Sequence, residues 1–564
     1  MEKAWILKRT DEQLRDLFAR ELGISHVTAQ ILINRNITST KDAQVFLKCS
    51  FESLHNPFLL KDMDKAVSRI KESIAKKERI VVYGDYDVDG ISSVALLVLA
   101  LRKLGAKASY YIPNRLGEGY GLNKPAIKKA KEKKASLIIT VDCGISARDE
   151  VKYAKRLGID VVVTDHHEIT KSIPRAFAVI NPLQQDCSYP FKHLAGVGLA
   201  YKLAEALTKD KAVRIAEHLD LVALGTVADI VPQIGENRIL TRYGLRELNL
   251  THKTGLKALI KVSGLTGREI ISGHIGYILG PRINASGRIG SPELAVKLLL
   301  TEDEDEANEL AGILDKENRF RQSLGNKILQ DALKKAENEI DFEKERAIVL
   351  SSDEWHRGVI GIVASRLSEK FYRPTILIAV SKGIGKGSGR SIKDFHLFEA
   401  ISRCESHLVN FGGHEGACGI TISKKKIESF KEAFNKVTTE LLTDRLLEPK
   451  IEIDMEVPLN TISGKLIYEL EGLSPFGPWN PRPLLSSRNL ELKNSPQRIG
   501  KDGFKVWVTD QKLTCEAVGF RMANSHLPRL NSERVDIAYS PEINNWRGMS
   551  SIQLNIHDIK NSPQ

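Results

Sequence analysis

Apolar residues along this chain fall into two alternating patterns. From Arg79 onward, short unbroken apolar runs, RIVVYG, SLIITVDCG, IDVVVTDHHE and FAVINP, alternate with segments of helical period. Strands without polar alternation, separated by helices, predict a parallel sheet covered on both faces, so the first half reads as α/β. A helix is expected to open at Gly90, a basic one to cover 124–134, and a third to run from about Ala147 to Leu157. Helical pattern then dominates from His193 to about Leu250. It returns from Thr301, a plausible N-cap before the acidic first turn EDEDE, to about Ile340. A second, smaller α/β pattern follows: AIVLSS at 347–352, a helix from Val359 to Lys370, then PTILIAV. Beyond a linker near Asp444–Lys450 come short strands, many turns and three of the five tryptophans, Trp479, Trp507 and Trp546. That pattern predicts a small, OB-like β-barrel. The expected division is a helical segment at 1–50, a parallel-sheet α/β domain at 51–235, a helical connector at 236–340, a smaller α/β domain at 341–444 and the barrel at 450–564.

Composition narrows the class. The 564 residues are 42% hydrophobic and 27% charged with 41 Gly and 20 Pro, which excludes collagen-like, low-complexity and mainly disordered chains. The longest apolar run, Val94 to Leu101, is far short of the ~20 residues of a membrane span. Charge breaks the N-terminal apolar stretch too early for a signal peptide. A soluble, cytoplasmic protein with no membrane partner is expected. Six cysteines without a Cys-x-x-Cys pair predict free thiols in a reducing compartment. The net charge of +12 favours an anionic partner, nucleic acid first, although basic proteins also stay soluble this way. Residues 451–564 hold 13 Lys/Arg and 13 Asp/Glu, so the excess lies upstream of the barrel. The lysine run at 128–134 reads most simply as a solvated helix face.

Chemistry concentrates at strand ends. Asp85, Asp87 and Asp89 alternate in GDYDVDG directly after a strand, where three carboxylates repel unless something positive sits among them. Open α/β sheets bind ligands at these ends, and hard divalent cations prefer carboxylate oxygens. An acidic turn or a calcium loop is the alternative. The second apolar strand ends in Asp142, the third in Asp165-His166-His167, and Asp229 follows an Ala/Gly-rich helix. Parallel strands bring such ends together. Five or more carboxylates and two imidazoles in one crevice suggest two metal ions that activate water for displacement at phosphorus.

In order, GDYDVDG, TVDCG, DHHE and GTVADIVP resemble the four motifs of the DHH phosphoesterase family. RINASGRIG (282–290), WHRGVIGIVASRL (355–367), GSGRS (387–391) and FGGHEGACG (411–419) resemble its accessory DHHA1 domain. SPFGPWNPRP (474–483) and the NNWRG…IQLNIHDI tail resemble the C-terminal nucleic-acid-binding domain of one member. The resemblance covers nearly the whole chain. It implies a bacterial, metal-dependent, single-strand-specific 5′→3′ exodeoxyribonuclease of DNA repair and recombination that releases 5′-mononucleotides, with two Mn²⁺ or Mg²⁺ ions as cofactors. A narrow basic channel between two domains would exclude a duplex. Single-stranded DNA is the implied substrate, single-strand-binding protein and a RecQ-type helicase are the implied protein partners, and a monomer is the implied state.

The resemblance also implies roles. Asp87 and Asp89 would ligate metal, with Asp85 a ligand or near one, Asp142 bridging, His166 ligating and Asp229 completing the set. His167 would ligate or face the scissile phosphate, and Asp165 would orient a histidine. No protein nucleophile is needed. Gly412, Gly413 and His414 would grip phosphate, while Arg288, Ser388 and Arg390 hold a 5′-terminal phosphate and set polarity. Cys418, where the family shows alanine, reads as packing. Arg115 and Tyr120 on a glycine-rich loop would contact DNA or form a plain turn. Phe504, Trp507 and Trp546, with Lys505 and Arg547 nearby, could stack bases or fill the barrel. Two alternatives remain: a DHH hydrolase of short oligonucleotides, cyclic dinucleotides or pyrophosphate, and a catalytically dead replication scaffold.

Overall fold

The first sheet explains where the chemistry gathers. In the computed structural model, which describes residues 3–114, 118–119, 121–169, 172–209, 215–546 and 549–563, five parallel strands line up. Their order is Lys107–Tyr111, Arg79–Gly84, Ala135–Val141, Asp160–Thr164 and Ala178–Ile180. The strand first in sequence thus lies between the second and the third, and the connections leave it in opposite directions. Ligand crevices form at such a reversal, beyond the carboxyl ends of the strands. Asp85 and Asp142 follow the two strands that flank it.

Helix Val88–Lys103, apolar almost all round, is buried over nearly its whole length and packs against helices Gly196–Thr208 and Leu219–Ala228. Helices Lys124–Glu132 and Arg148–Arg156 present Ile127, Ala130, Val151 and Ala154 to a core with Val81, Ile138, Val161 and Val163. Lys128, Lys129 and residues 131–134 face solvent, as the charge run suggested.

The chain divides into two compact units, one of residues 5–280, 295–308 and 451–564, the other of 1–4, 281–294 and 309–450. Residues 236–340, expected as a single connector, are shared between them. The helix Glu304–Glu339 is capped by Asp303, whose Oδ1 accepts from Glu306 N at 2.7 Å, and not by Thr301 as its sequence suggested. Thr301 instead hydrogen-bonds the Glu306 side chain. In the second unit, strands run in the order Asn410–Gly413, Ala417–Ser423, Ile384–Arg390, Thr375–Ser381, Ile348–Ser352, with the last two parallel and the others antiparallel.

The C-terminal strands close a ring. Leu485–Leu492, Arg534–Trp546, Met549–Asn561, Thr514–Gly519 and Gly503–Thr509 pair in turn, and Glu491↔Thr509 with Leu492↔Val508 shut it. This is the OB-like barrel. Phe504 fills its core, while Trp507 is half exposed. Its core continues into the N-terminal helices Glu12–Leu22 and His26–Asn34, where Phe18, Val27, Ile31 and Leu32 pack with Leu466, Val506 and Ile537. Among the described residues, no helix is long and apolar enough to cross a membrane.

One buried cation holds three stretches of the first unit together. Arg238, on helix Gly235–Asn249, stacks its guanidinium 3.8 Å from the Phe46 ring centroid. It donates to the carbonyls of Phe46 (2.5 Å), Gly472 (3.2 Å), Leu473 (3.2 Å) and Ser474 (3.1 Å). Burial pushes its pKa down to about 10, so it stays charged at neutral pH. Arg238→Ala removes the charge-assisted donors and leaves the carbonyls buried, a loss of about 3 kcal/mol. The variant is expected to melt several degrees lower in a thermal denaturation scan; an unchanged midpoint would show that the docking does not depend on Arg238.

Candidate metal centre

Local folding puts each acidic side chain of the first unit in place. Asp87 is the N-cap of helix Val88–Lys103, its Oδ1 accepting from Gly90 N at 3.0 Å. Asp89 therefore sits in the first helical turn and points back toward the strand ends. Gly90 leaves room for the turn: a Cβ there would lie 2.5 Å from Asp85 O. Asp142 ends its strand in the left-handed region, φ +58°. Asp165, His166 and His167 follow strand Asp160–Thr164, and Asp229 caps the carboxyl end of helix Leu219–Ala228.

These groups converge. His166 Nε2 lies 3.0 Å from Asp142 Oδ1, 3.6 Å from Asp229 Oδ2 and 3.9 Å from Asp89 Oδ2. Three overlapping sets each offer ligand atoms within 4.8 Å of one another: Asp85, Asp87 and Asp142; Asp142, His166 and His167; Asp89, His166 and Asp229. Asp142 and His166 each belong to two sets. Asp165 stands behind them, its Oδ1 2.7 Å from His167 Nδ1 and its Oδ2 accepting from Ile145 N at 2.8 Å.

The electrostatics show what the crevice suits. Burial, then repulsion from Asp87, raises Asp89 to about 7 even though two backbone N–H groups stabilise its charge. Burial and repulsion from Asp89 and Asp87 raise Asp142 well above the carboxylate range and Asp229 to about 9. Burial lowers His166 to about 4, helped by His167. Burial pulls His167 down, but its hydrogen bond to Asp165 and the charges of Asp165, Asp229 and Asp87 together raise it to about 9. Asp142 Oδ1 and His166 Nε2 are sealed from solvent and face each other without a hydrogen-bond partner. A divalent cation satisfies both atoms and relieves the repulsion, and the O/N donor set suits Mn²⁺ or Mg²⁺.

Sequence patterns missed the parts that aim the carboxylates. Asp89 is gripped by the N-terminus of helix Gly196–Thr208, accepting from Gly196 N (2.7 Å, Oδ2) and Val197 N (2.8 Å, Oδ1). A Cβ on Gly196 would lie 2.8 Å from Asp142 Oδ1, and one on Gly225 would lie 2.8 Å from Asp89 Oδ1. The glycines of AGVG at 195–198, opening a helix, were the available signal.

The second unit assembles a separate polar cluster. Arg390 Nη1 donates to Ser388 Oγ (3.2 Å) and to its neighbour's carbonyl at Gly389 (2.7 Å). A Cβ on Gly361, in the first turn of helix Ile360–Phe371, would lie 2.8 Å from Ser388 Oγ and 3.1 Å from Arg390 Nη2. Arg288 Nη1 donates to Gly358 O at 3.3 Å, just before the same helix. Three distant motifs thus meet at one helix N-terminus, a natural anion site. Strand register also sets Gly412 beside Gly419, and Gly419 beside Ser388. Gly413 and His414 are exposed at the same edge. Cys418 is buried and its thiol is pushed up to about 11 by that burial, as a packing residue should be. Arg115, Tyr120, Arg547 and the side chain of Trp546 lie outside the described residues.

The first unit also holds a cavity of about 1320 Å³, lined in part by Arg242, Arg246, Arg482, Tyr277, Phe476 and Ile230. Arg482 lies over the Phe476 ring, 4.9 Å from its centroid.

Comparison with known proteins bears on these features. Residues 79–226 match the N-terminal domain of the DHH family, 344–440 the DHHA1 domain and 453–558 the RecJ OB domain. The chain is 39% identical over 98% of its length to the single-stranded-DNA-specific exonuclease RecJ of Bacillus subtilis, covering 70% of that protein. It is 36% identical over 89% of its length to the RecJ of Escherichia coli, covering 90% of it. The crystal structure of Thermus thermophilus RecJ in complex with Mn²⁺ superposes with a TM-score of 0.84 at 28% identity, over 100% of this chain and 80% of that one. A second Thermus thermophilus structure holds Mg²⁺. Full-length identity, three domain matches in order and a buried Asp/His centre agree: the chain belongs to the RecJ family of single-stranded-DNA-specific exonucleases, which are phosphodiester hydrolases.

Proposed function

We propose that this exonuclease degrades single-stranded DNA from the 5′ end, releasing 5′-mononucleotides at a centre for two divalent cations. The observation that carries this reading is the shared position of Asp142 and His166 in overlapping ligand sets, with both atoms buried and unsatisfied. Asp85, Asp87 and Asp142 would serve one ion, and Asp89, His166 and Asp229 the other, with His167 beside Asp142 and His166 where the two sets meet. When bound, such a pair lowers the pKa of water and offsets charge on the phosphate. Around it, Asp165 fixes the His167 ring, and the helix beginning at Gly196 fixes Asp89. No side-chain nucleophile is required.

Polarity rests on the second cluster. A terminal phosphate carries close to two charges and an internal diester one, so Arg288 and Arg390 with Ser388 and a helix N-terminus suit the terminal group. Gly412, Gly413 and His414 are proposed to grip phosphate as well. The cavity suits a single strand, since Arg242 and Arg246 can neutralise phosphates, Arg482 being paired with Glu471, and Tyr277 or Phe476 can stack bases. A nuclease of single strands needs a helicase to supply them and meets coated strands, which supports a RecQ-type helicase and single-strand-binding protein as partners. Six buried, free cysteines fit the reducing bacterial cytoplasm.

A 3′-labelled single strand, incubated with Mn²⁺ or Mg²⁺ and compared with a chelated sample, a duplex, a 5′-blocked strand and RNA, tests the reading. Metal-dependent shortening from the 5′ end of the single strand alone is expected; intact DNA with turnover of dinucleotides would move the substrate to short oligonucleotides. Asp142→Ala should lower turnover and Mn²⁺ affinity by more than about a hundredfold while DNA binding persists, because removing a ligand exceeds the effect of disturbing its support. Retained Mn²⁺ affinity would refute the bridging role.

Arg288→Ala should slow degradation of 5′-phosphorylated strands about ten- to a hundredfold, the value of one lost charge-assisted hydrogen bond. Strands with a 5′-hydroxyl should suffer far less, and equal losses on both would sink the end-recognition claim. Gly196→Ala, which forces a methyl against Asp142, should weaken Mn²⁺ binding about tenfold by calorimetry; unaltered affinity would mean the helix can retreat without disturbing the centre.

A further inference from the structure

The loop SPFGPWNP, residues 474–481, has an internal frame of its own. Asn480 is buried, and its amide donates to Leu473 O (2.9 Å) and Pro475 O (3.0 Å). Gly477 and Asn480 exchange backbone hydrogen bonds of 2.9 and 3.1 Å. A turn tied this way holds its shape, and besides Arg35, Arg238 and His193 it meets a further partner.

That partner is the segment after Asp229. Gln233 N donates to Pro478 O at 2.8 Å. Gly477 presses on the buried Gln233 side chain so closely that a Cβ would lie 2.5 Å from Cγ. Trp479 meets the His193 ring edge-on, with centroids 4.9 Å apart and planes at 67°. His193 O in turn accepts from Asn237 Nδ2 at 2.5 Å, and the same amide holds Pro232 O at 3.1 Å. At the root of the loop, Arg238 grips the carbonyls of residues 472–474.

Asp229 therefore stands on a segment fixed at two ends. On one side its own N–H bonds Gly225 O at 2.9 Å, ending the helix. On the other, the chain turns through Ile230 at φ +61°, a conformation that ends helical continuity, and is next secured at Pro232 and Gln233. Gln233, which the loop clamps, lies four positions beyond the metal-facing carboxylate.

We infer that loop 474–481 of the C-terminal domain is a strut that sets the position of Asp229, making Gly477, Trp479 and Gln233 positioning residues for hydrolysis. The inference rests on the reading of Asp229 as a metal ligand. Trp479 is 60% exposed, so its rival role is to stack a base. The two roles move different quantities. A strut acts on metal affinity and kcat; a stacking residue acts on KM.

The test compares the full-length protein with Gly477→Leu, Trp479→Ala, Trp479→Phe and, as a reference, Asp229→Ala. Mn²⁺ dissociation constants are measured by calorimetry without DNA, and kcat and KM on a single-stranded oligonucleotide. Gly477→Leu and Trp479→Ala are expected to weaken Mn²⁺ binding and lower kcat about tenfold, as loss of support behind a metal ligand does. KM should change less than about twofold, and Trp479→Phe, which keeps an aromatic edge on His193, should recover most of the loss. Should Gly477→Leu fail to fold, the exposed Trp479 variants decide alone. Unchanged Mn²⁺ affinity, whether KM rises or not, overturns the strut. If Asp229→Ala itself binds Mn²⁺ normally, the ligand reading falls first and the strut with it.

Discussion

Like charges packed into a largely buried crevice govern this architecture. Burial and the repulsion of neighbouring carboxylates drive Asp89, Asp142 and Asp229 upward together, so these three cannot all ionise at neutral pH without a counter-charge. A crevice of this kind is held together against its own repulsion by backbone groups. The helix at Gly196 donates two N–H groups to Asp89, and Asp165 holds His167 through its ring and backbone N–H. Gly90, Gly196 and Gly225 are small because carboxylates or their backbone occupy the space a side chain would need. The site is consequently a property of five chain segments, and each is fixed by a helix cap or a strand end.

Much of this was legible in the sequence. Acidic or imidazole groups after consecutive apolar strands predicted convergence because parallel strands share a direction, and strand reversal beside Arg79–Gly84 supplied the crevice. The barrel was legible from its turns and tryptophans. Other features were not. Gly196 and Gly225 carry no charge and no period, so their contact with Asp142 and Asp89 depends on which helices meet in three dimensions. Local rules also misplaced one cap: Thr301 and Asp303 both suit an N-cap, and the backbone geometry chose Asp303. Phe504 and Trp507, alike in the sequence, separate by strand alternation into one core residue and one half-exposed residue.

A chain read in order suggests a catalytic module with a nucleic-acid-binding barrel appended. The packing of the first unit says otherwise. N-terminal Phe18, Ile31 and Leu32 share a core with barrel residues more than four hundred positions away. Arg35 lies 3.1 Å from Asp454 Oδ1, and the Asp454 carboxylate also accepts from Asn34 Nδ2 at 3.1 Å and Leu484 N at 3.1 Å. Removing the barrel would therefore strip the N-terminal helices of their core and Arg238 of three acceptors.

The turn from Asp229 to Gln233 makes this integration chemical as well as mechanical. A carboxylate at the end of a helix is positioned by the ladder behind it, yet the residues beyond it have no ladder. Their placement must come from tertiary contacts, and in this chain those contacts are Pro478 O on Gln233 N and the Asn237 amide on Pro232 O. Two of the three partners that fix the site's outermost acid are thus local, and one belongs to a domain that begins more than two hundred residues later. The barrel is tied to the parallel-sheet domain in this way at two places, because the same loop carries Phe476 into the cavity and Pro478 against the turn that follows Asp229.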